Sequence, residues 1–402
     1  MNITFIAGTY RPEHCGVADY TAHLRHYLTQ RGMHSTVLTT HAAATSDPTV
    51  QGAIAHWNIA NLLPLAQAIC KTQTDILHIQ HAAGTYQFDR SMFLLPPLLR
   101  SLRFKAPIIT TIHEYGWWEW QPQGIPPQWI EHLKMWGQNR GWWDREDGFL
   151  LTYSNAIITT NEIAQTTIQT RLPNLKASLH QIPIGANVEV AKLDRGSSRQ
   201  HLRQSYHWST DTPVIAFFGF LHPVKGLEVL LHAFQQVLTC HPQARLLLIG
   251  GVESLSLPGE QAENYWNKLK QLIQDLKLTT AVEMTGYLQN ESVSQMLLGS
   301  DIGVIPFNHG VTLKSGSLLA LMAHALPIVA TRSTPSDPKL ENNPALKLVL
   351  TRSSDALAEK LILLLEDHDL RNRLSQAAQQ FSQDFSWKNI ADRHLAIYQA
   401  VQ

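Results

Sequence analysis

Cysteine is scarce: 402 residues carry three, Cys15, Cys70 and Cys240. They show neither a paired framework nor metal-ligand spacing, which excludes a disulfide scaffold and points to a reducing compartment. Net charge is absent, since 32 Lys and Arg balance 32 Asp and Glu. That removes the electrostatic drive to wrap nucleic acid or coat an anionic membrane, leaving only local patches. No run of about 18 apolar residues occurs, so no membrane-spanning helix is expected. Met1 to Ala7 lacks the basic region and long apolar stretch of a signal peptide. The expectation is a cytoplasmic protein, at most peripheral at the inner face of a membrane. The chain also lacks G-x-G-x-x-G and G-x-x-x-x-G-K-[ST], so neither a dinucleotide fingerprint nor a P-loop is available.

What is present is 44% hydrophobic residue content in a chain about two domains long. Short apolar runs alternate with stretches of helical period, the pattern of a parallel sheet covered by helices. Residues 2–7, 35–39, 76–80, 108–113 and 156–160 read as strands, with helices over 19–31 and 62–71. A second series has strands at 214–218, 245–249, 282–284, 302–306 and 327–330, with helices near 227–239, 263–275, 292–298 and 317–324. The fold class predicted is α/β, with two Rossmann-like doubly wound domains. The polar stretch 192–212, with Arg195-Gly196-Ser197-Ser198, is the candidate linker. Ligands of such sheets bind beyond the carboxyl ends of strands, so a cleft between two facing domains is the expected site.

The loops after those strands hold the candidate chemistry. Gly219-Phe220-Leu221-His222-Pro223-Val224-Lys225-Gly226 joins a strand end to a helix start, where free amides and a lysine outline a phosphate site. Thr312-Leu313-Lys314-Ser315-Gly316-Ser317 repeats the arrangement, with Ser315 or Ser317 able to cap and Gly316 expected to let a ligand approach the backbone. Two cationic helix starts in one domain suit a diphosphate. In the first series, Gly8 to Asp19 forms a long loop containing Cys15 and Gly16, and His113 with Glu114 ends a strand. His78 and His81 could line the same cleft. His113 has no second histidine four residues on, and the one D-x-D triplet, Asp367-His368-Asp369, falls in a polar turn, so no metal is expected.

Residues 116–143 hold Trp117, Trp118, Trp120, Trp129, Trp136, Trp142 and Trp143, seven of 11 tryptophans. The reading favoured by composition is a local aromatic core that pins an insertion; an acceptor platform or a lid touching a membrane is the rival. Flanking charges at Glu119, Glu131, Lys134, Arg140, Asp144 and Glu146 are mixed, which argues against a strong electrostatic membrane anchor.

These residues together resemble the retaining glycosyltransferases of the GT-B fold, in the large family 4 (group 1) class, over nearly the whole chain. The family's G-R-L-x-x-x-K-G element is similar to Gly219–Gly226, with Lys225 in the lysine place. Its E-A-M-A-x-G-x-P-V-V element resembles Ala320–Val329, its strand-end histidine His113, and its small-residue loop Cys15 to Thr21. Val282 to Leu288 resembles the strand and turn near the donor base. Phe385-Ser386-Trp387 and the helix to Gln402 are similar to the helix that crosses back to the first domain. Phe220 stands where the family usually has Arg, with His222 as the nearby substitute, and the E-x7-E pair falls on Thr312 and Ala320. A divergent subgroup without these glutamates is the implication.

The resemblance implies an acceptor-side domain over 1–195 with the helix 386–402 packed on it, and a donor-binding domain over 196–385. It implies transfer of a sugar from a nucleotide-diphosphate donor to a glycan or lipid-linked acceptor hydroxyl, without metal or other cofactor. His113, Lys225 and Lys314 would be catalytic. Gly219, Phe220, His222, Thr312, Ser315, Gly316, Ser317, Tyr287 and Leu288 would bind the donor, and Cys15, Gly16, Asp19 and Glu114 would lie on the acceptor side. The alternatives are a non-catalytic sugar-nucleotide-binding partner subunit and a GT-B-fold sugar-nucleotide epimerase, for which Glu114 is the carboxylate at hand.

Overall fold

Strands covered by helices on both faces are apolar along their whole length, and the central strands here are buried end to end. The computed structural model describes residues 1–11, 15–116, 124, 126–254 and 257–402. Among these, thirteen strands form two all-parallel sheets in two compact units, Met1–Ile184 with Trp387–Gln402, and Gly185–Ser386. The first sheet comprises β1 (Asn2–Ala7), β2 (His34–Thr40), β3 (Val50–Ile54), β4 (Ile76–His81), β5 (Ile108–Ile112), β6 (Ala156–Thr159) and β7 (Ser178–Gln181), in the order β3-β2-β1-β4-β5-β6-β7. The second comprises β8 (Val214–Phe218), β9 (Arg245–Ile249), β10 (Val282–Gly286), β11 (Ile302–Ile305), β12 (Ile328–Thr331) and β13 (Leu346–Val349), in the order β10-β9-β8-β11-β12-β13. Both orders reverse direction once, between β1 and β4 and between β8 and β11, which is the doubly wound arrangement.

The polar stretch 192–212 is not a linker. Asp194 caps a helix over Arg195–Ser205 by accepting the Ser197 amide at 2.7 Å. Arg203, 1% exposed, bonds Thr212 O, Gly299 O and Asp301 Oδ2. Gly299 makes room, because a Cβ there would lie 2.8 Å from Ser198 O. The division between units falls at Ile184/Gly185 rather than at 195/196.

The closing helix, Trp387–Val401, belongs to the first unit and buries Trp387, Ile390, Ala391, His394, Ile397 and Tyr398, one face at helical spacing. Trp387 stacks on His23 of the helix Gly16–Thr29 at 4.9 Å, and Asp392 pairs with Arg31. Beneath this face runs a buried polar chain. Gln80 bridges His113 and His78 through 2.8 and 3.3 Å contacts, and His78 also meets Thr111 Oγ1 and Tyr398 Oη, each at 2.7 Å. Since His78 Nε2 accepts from Gln80, its Nδ1 carries the proton and donates to Tyr398. His394 donates Nδ1–H to Ile390 O and faces Tyr20 Oη through Nε2. Burial, reinforced by the neighbouring histidines, drives His78 far below its ordinary pKa and His113 to about 3; burial carries His394 to about 4.

A buried donor stripped of its acceptor costs its full desolvation penalty. Tyr398→Phe keeps the ring but orphans His78 Nδ1–H, so it should lower unfolding stability by about 1–3 kcal/mol in urea titrations. An unchanged midpoint would show that the hydroxyl contributes nothing.

Candidate functional site

In the second unit both helix-start loops flank the point where strand order reverses, between β8 and β11. After β8, Gly219 continues the pairing with β9 through its amide to Ile249 O at 3.0 Å. Gly219 has φ +141°, and a Cβ there would lie 2.8 Å from Ser317 Oγ, so its bare Cα lets the hydroxyl of the other loop close in. His222 then starts a short 3-10 turn, Pro223–Lys225, its Nδ1 accepting the Val224 amide at 3.3 Å. In the neutral ring that leaves the proton on Nε2. Gly226, in the left-handed conformation at φ +68°, begins the helix Leu227–Cys240.

The same glycine brings the loops together, because a Cβ on Gly226 would sit 2.0 Å from Pro306 O. Asn308 ties the contact, donating its amide to Val224 O at 3.0 Å and its side-chain NH₂ to Pro223 O at 2.9 Å. This places Lys225 Nζ 3.8 Å from the centroid of Phe307. The ring face attracts the cation, but loss of water dominates and lowers the Lys225 pKa from 10.5 to about 8.

The second loop is an ordered helix start. Ser315 caps Gly316–Ala323 by accepting the Leu318 amide at 3.2 Å, and the Ser315 and Lys314 amides turn back to Thr312. Asp337 Oδ2 accepts the Leu313 amide at 3.0 Å. Lys314 is exposed and Ser317 is buried. The Cβ position of Gly316 lies 1.7 Å from Asn187 Oδ1, so its bare Cα admits the Asn187 side chain, and the Asn187 backbone amide donates to Gly316 O at 3.3 Å. Thr312 is half-buried, and Ala320 faces the core. Phe220 and Leu288 are half-buried, whereas Tyr287, directly after β10, is 53% exposed beside Gly251.

In the first unit His113 follows β5, half-buried, with its ring edge-on to Tyr20 at 4.7 Å. Donation from Nε2 to Gln80 Oε1 leaves Nδ1 as an acceptor, and the His113 carbonyl accepts from Thr160 Oγ1 at 3.4 Å. Glu114 is exposed. Cys15 stands at the N-cap position of Gly16–Thr29 without a side-chain capping bond, and Asp19 in its first turn pairs with Arg11 at 3.0 Å. Residues 12–14 of this loop lie outside the described residues, as do Trp117, Trp118, Glu119 and Trp120. His78 and His81 do not line an open cleft; both are buried, His78 in the polar chain and His81 against Asp147 at 3.0 Å.

Asp144 and Glu146, read from sequence among mixed flanking charges, form a buried cluster with Asp147. Asp144 accepts from Tyr115 Oη at 2.6 Å and from the amides of Glu146 and Asp147. Glu146 accepts the Gly116 amide and pairs with Arg171 at 2.7 Å. The cluster thereby grips Tyr115-Gly116, the turn that carries His113 and Glu114. Burial first, then the Asp147 charge, pushes the Asp144 and Glu146 pKa values up. Their run in sequence, Asp144-Arg145-Glu146-Asp147, has the composition of a solvated turn, so nothing in it signals the burial.

A broad cavity of about 1010 Å³ opens at the amino ends of β1 and β2. Of the Lys and Arg that line it, Lys71 is exposed and Arg25 is committed to Tyr10, Ser35 and Thr49.

Residues 198–381 match the family of glycosyl transferases group 1. The D-inositol 3-phosphate glycosyltransferase of Corynebacterium urealyticum is 25% identical over 254 residues, 62% of this chain and 57% of that one. The chain spans about half the length of the curated relatives it matches. A glycosyltransferase from Rickettsia africae superposes with TM-score 0.72 at 17% identity, covering 100% of this chain and 98% of that one. Anabaena HepE, solved in complex with UDP, superposes with TM-score 0.69 at 15% identity, covering both chains fully, 100% and 100%. The two Rossmann-like units have the fold of GT-B glycosyltransferases, and both helix-start loops lie within the residues that match the glycosyl transferases group 1.

Proposed function

We propose that this protein transfers a sugar from a nucleotide-diphosphate donor to the hydroxyl of a glycan or lipid-linked acceptor, with retention and without metal, as a divergent member of the family 4 class. The observation that carries the reading is Lys225, a desolvated lysine held at the switch between β8 and β11 by a loop locked to its neighbour. When the bond from the sugar to the diphosphate breaks, its electron pair goes to the phosphate oxygen. Lys225, Lys314 and the first-turn amides at Gly316 and Ser317 stabilise that charge, and the His222 Nε2–H adds a donor. Such fixed donors and cations replace the metal that other phosphate chemistry recruits.

The nucleoside follows from the sheet. Neighbouring strands lie about 4.8 Å apart, so β10 stands about 10 Å from β8, the reach of a nucleoside. The exposed ring of Tyr287 stacks on the base there, beside Leu288. Neutral His113, its Nε2–H donated to Gln80, contributes its Nδ1 as an acceptor for a hydroxyl of the donor sugar. Gly16 and Asp19 serve the acceptor side. With Thr312 and Ala320 in the places of the family's glutamates, sugar and ribose contacts rest on other groups. The same substitutions favour, as second reading, a subunit that binds sugar nucleotide without turning it over.

Release of nucleoside diphosphate from UDP-, GDP- and ADP-sugars with a panel of acceptors tests both. Wild type should turn over one donor class, and Lys225→Ala should lose about 10²–10³ in kcat. Full activity in Lys225→Ala would refute the assignment, and binding without release or interconversion of any donor would favour the second reading.

Tyr287→Ala should raise the donor Kd about tenfold while leaving saturated turnover nearly intact. A loss confined to kcat would place Tyr287 elsewhere in the cycle.

A further inference from the structure

The tryptophan segment divides in a way that its composition does not foretell. Trp143 is the pin: a Cβ at Gly137 would lie 1.9 Å from its indole, so the ring sits in a notch on the helix Pro127–Asn139 and locks the following turn to it. Trp129, Leu133 and Trp136, at positions i, i+4 and i+7, form the outward stripe of that helix and are 75%, 52% and 43% exposed; Trp142 in the turn is 50% exposed. Ring contacts run on from Trp136 to Trp142 at 4.8 Å, to Trp143, to Phe149 at 5.9 Å and to Tyr153 at 5.6 Å. The face is therefore contiguous and held in place before anything docks on it.

Its charge is as selective as its composition. Among the described residues from 126 to 153, Arg140 is the one exposed lysine or arginine, stacked 4.4 Å from the Trp136 centroid and 5.7 Å from that of Trp142. The described carboxylates between 126 and 153 are paired or turned inward. Glu131 pairs with Lys134 at 2.7 Å and Arg145 at 2.9 Å, and Asp144, Glu146 and Asp147 are buried below. Indoles with an adjacent guanidinium, and with the part-exposed Glu131 carboxylate held in two ion pairs, complement the boundary between acyl chains and anionic headgroups. A sugar platform would pair the indoles with carboxylates that bind hydroxyls, and here those are withdrawn.

We propose that this aromatic face seats the first unit on an anionic lipid surface, with the indoles at the headgroup boundary and Arg140 on a lipid phosphate. The inference is independent of the donor chemistry proposed above. Cosedimentation of the full chain with vesicles of phosphatidylcholine alone, and of equal phosphatidylcholine and phosphatidylglycerol, tests it. Wild type should bind the mixed vesicles, less so as salt rises. Trp129→Ser with Trp136→Ser should weaken that binding at least about tenfold. Arg140→Glu should weaken it about fivefold or more on mixed vesicles and leave the neutral ones unaffected. These side chains are exposed, so circular dichroism and thermal midpoint should match wild type and separate lost docking from lost folding. No vesicle binding by wild type, or equal binding by the double variant, would overturn the proposal. So would protection of the tryptophans by maltoheptaose without vesicle binding, or a dimer that the double variant dissolves.

Discussion

An ammonium group half-sunk against the face of Phe307 is the position around which the second unit's loops are organised. Water has been displaced from Lys225 far enough to bring its pKa to about 8, and one aromatic ring restores only part of that lost hydration. An anion beside it would restore the rest. The local geometry exists to hold this arrangement: left-handed Gly226 turns the chain so tightly that no Cβ could clear Pro306, and Asn308 clamps the turn from the other side. Gly219 similarly admits Ser317. Two loops far apart in sequence are thus one structure at the sheet's switch point.

The first unit solves a different problem with buried polarity. His78, Gln80, His113 and Tyr398 share protons in a chain that begins in the closing helix and ends at the strand-end histidine. Burial keeps each ring neutral and its hydrogen-bond partner fixes the tautomer, so His113 is presented as a hydrogen-bonding group and not as a cation. The acid cluster under Tyr115-Gly116 supports the same turn from the opposite direction, using Arg171 to offset its charge.

How much of this was legible follows from which faces are buried. The interior strands of the second sheet are almost wholly apolar, and β8 and β9 emerge from sequence with their observed bounds, whereas β4 and β5 of the first carry buried polar residues such as His78, Gln80 and Thr111. Three strands escaped the reading, β3, β7 and β13, and all are short sheet edges that are only partly buried; β7 contains Ser178, His180 and Gln181. The helix Arg195–Ser205 was mistaken for a linker because its Gly-Ser-Ser start is a turn signal, whereas Asp194 and buried Arg203 make it a capped, anchored helix. The glycine of the E-A-M-A-x-G-x-P-V-V pattern falls on Ala325, which nonetheless takes φ +50°. Backbone shape has outlasted the residue that makes it easiest. Lysine chemistry at 225 was readable from spacing, but its desolvation was not, because Phe307 arrives from a loop some eighty positions away in sequence.

The most direct measurement is calorimetric titration of UDP, GDP and ADP into the protein in two buffers of different ionisation enthalpy, from neutral pH to about pH 9. Lys225 is largely protonated below its pKa of about 8, and an anion bound beside it raises that pKa. Binding should therefore take up protons increasingly as pH rises through 8, with affinity falling over the same range. Lys225→Met should bind more weakly and without that uptake. Binding that shows the same proton uptake in Lys225→Met, or no binding of any nucleoside diphosphate, would contradict the account.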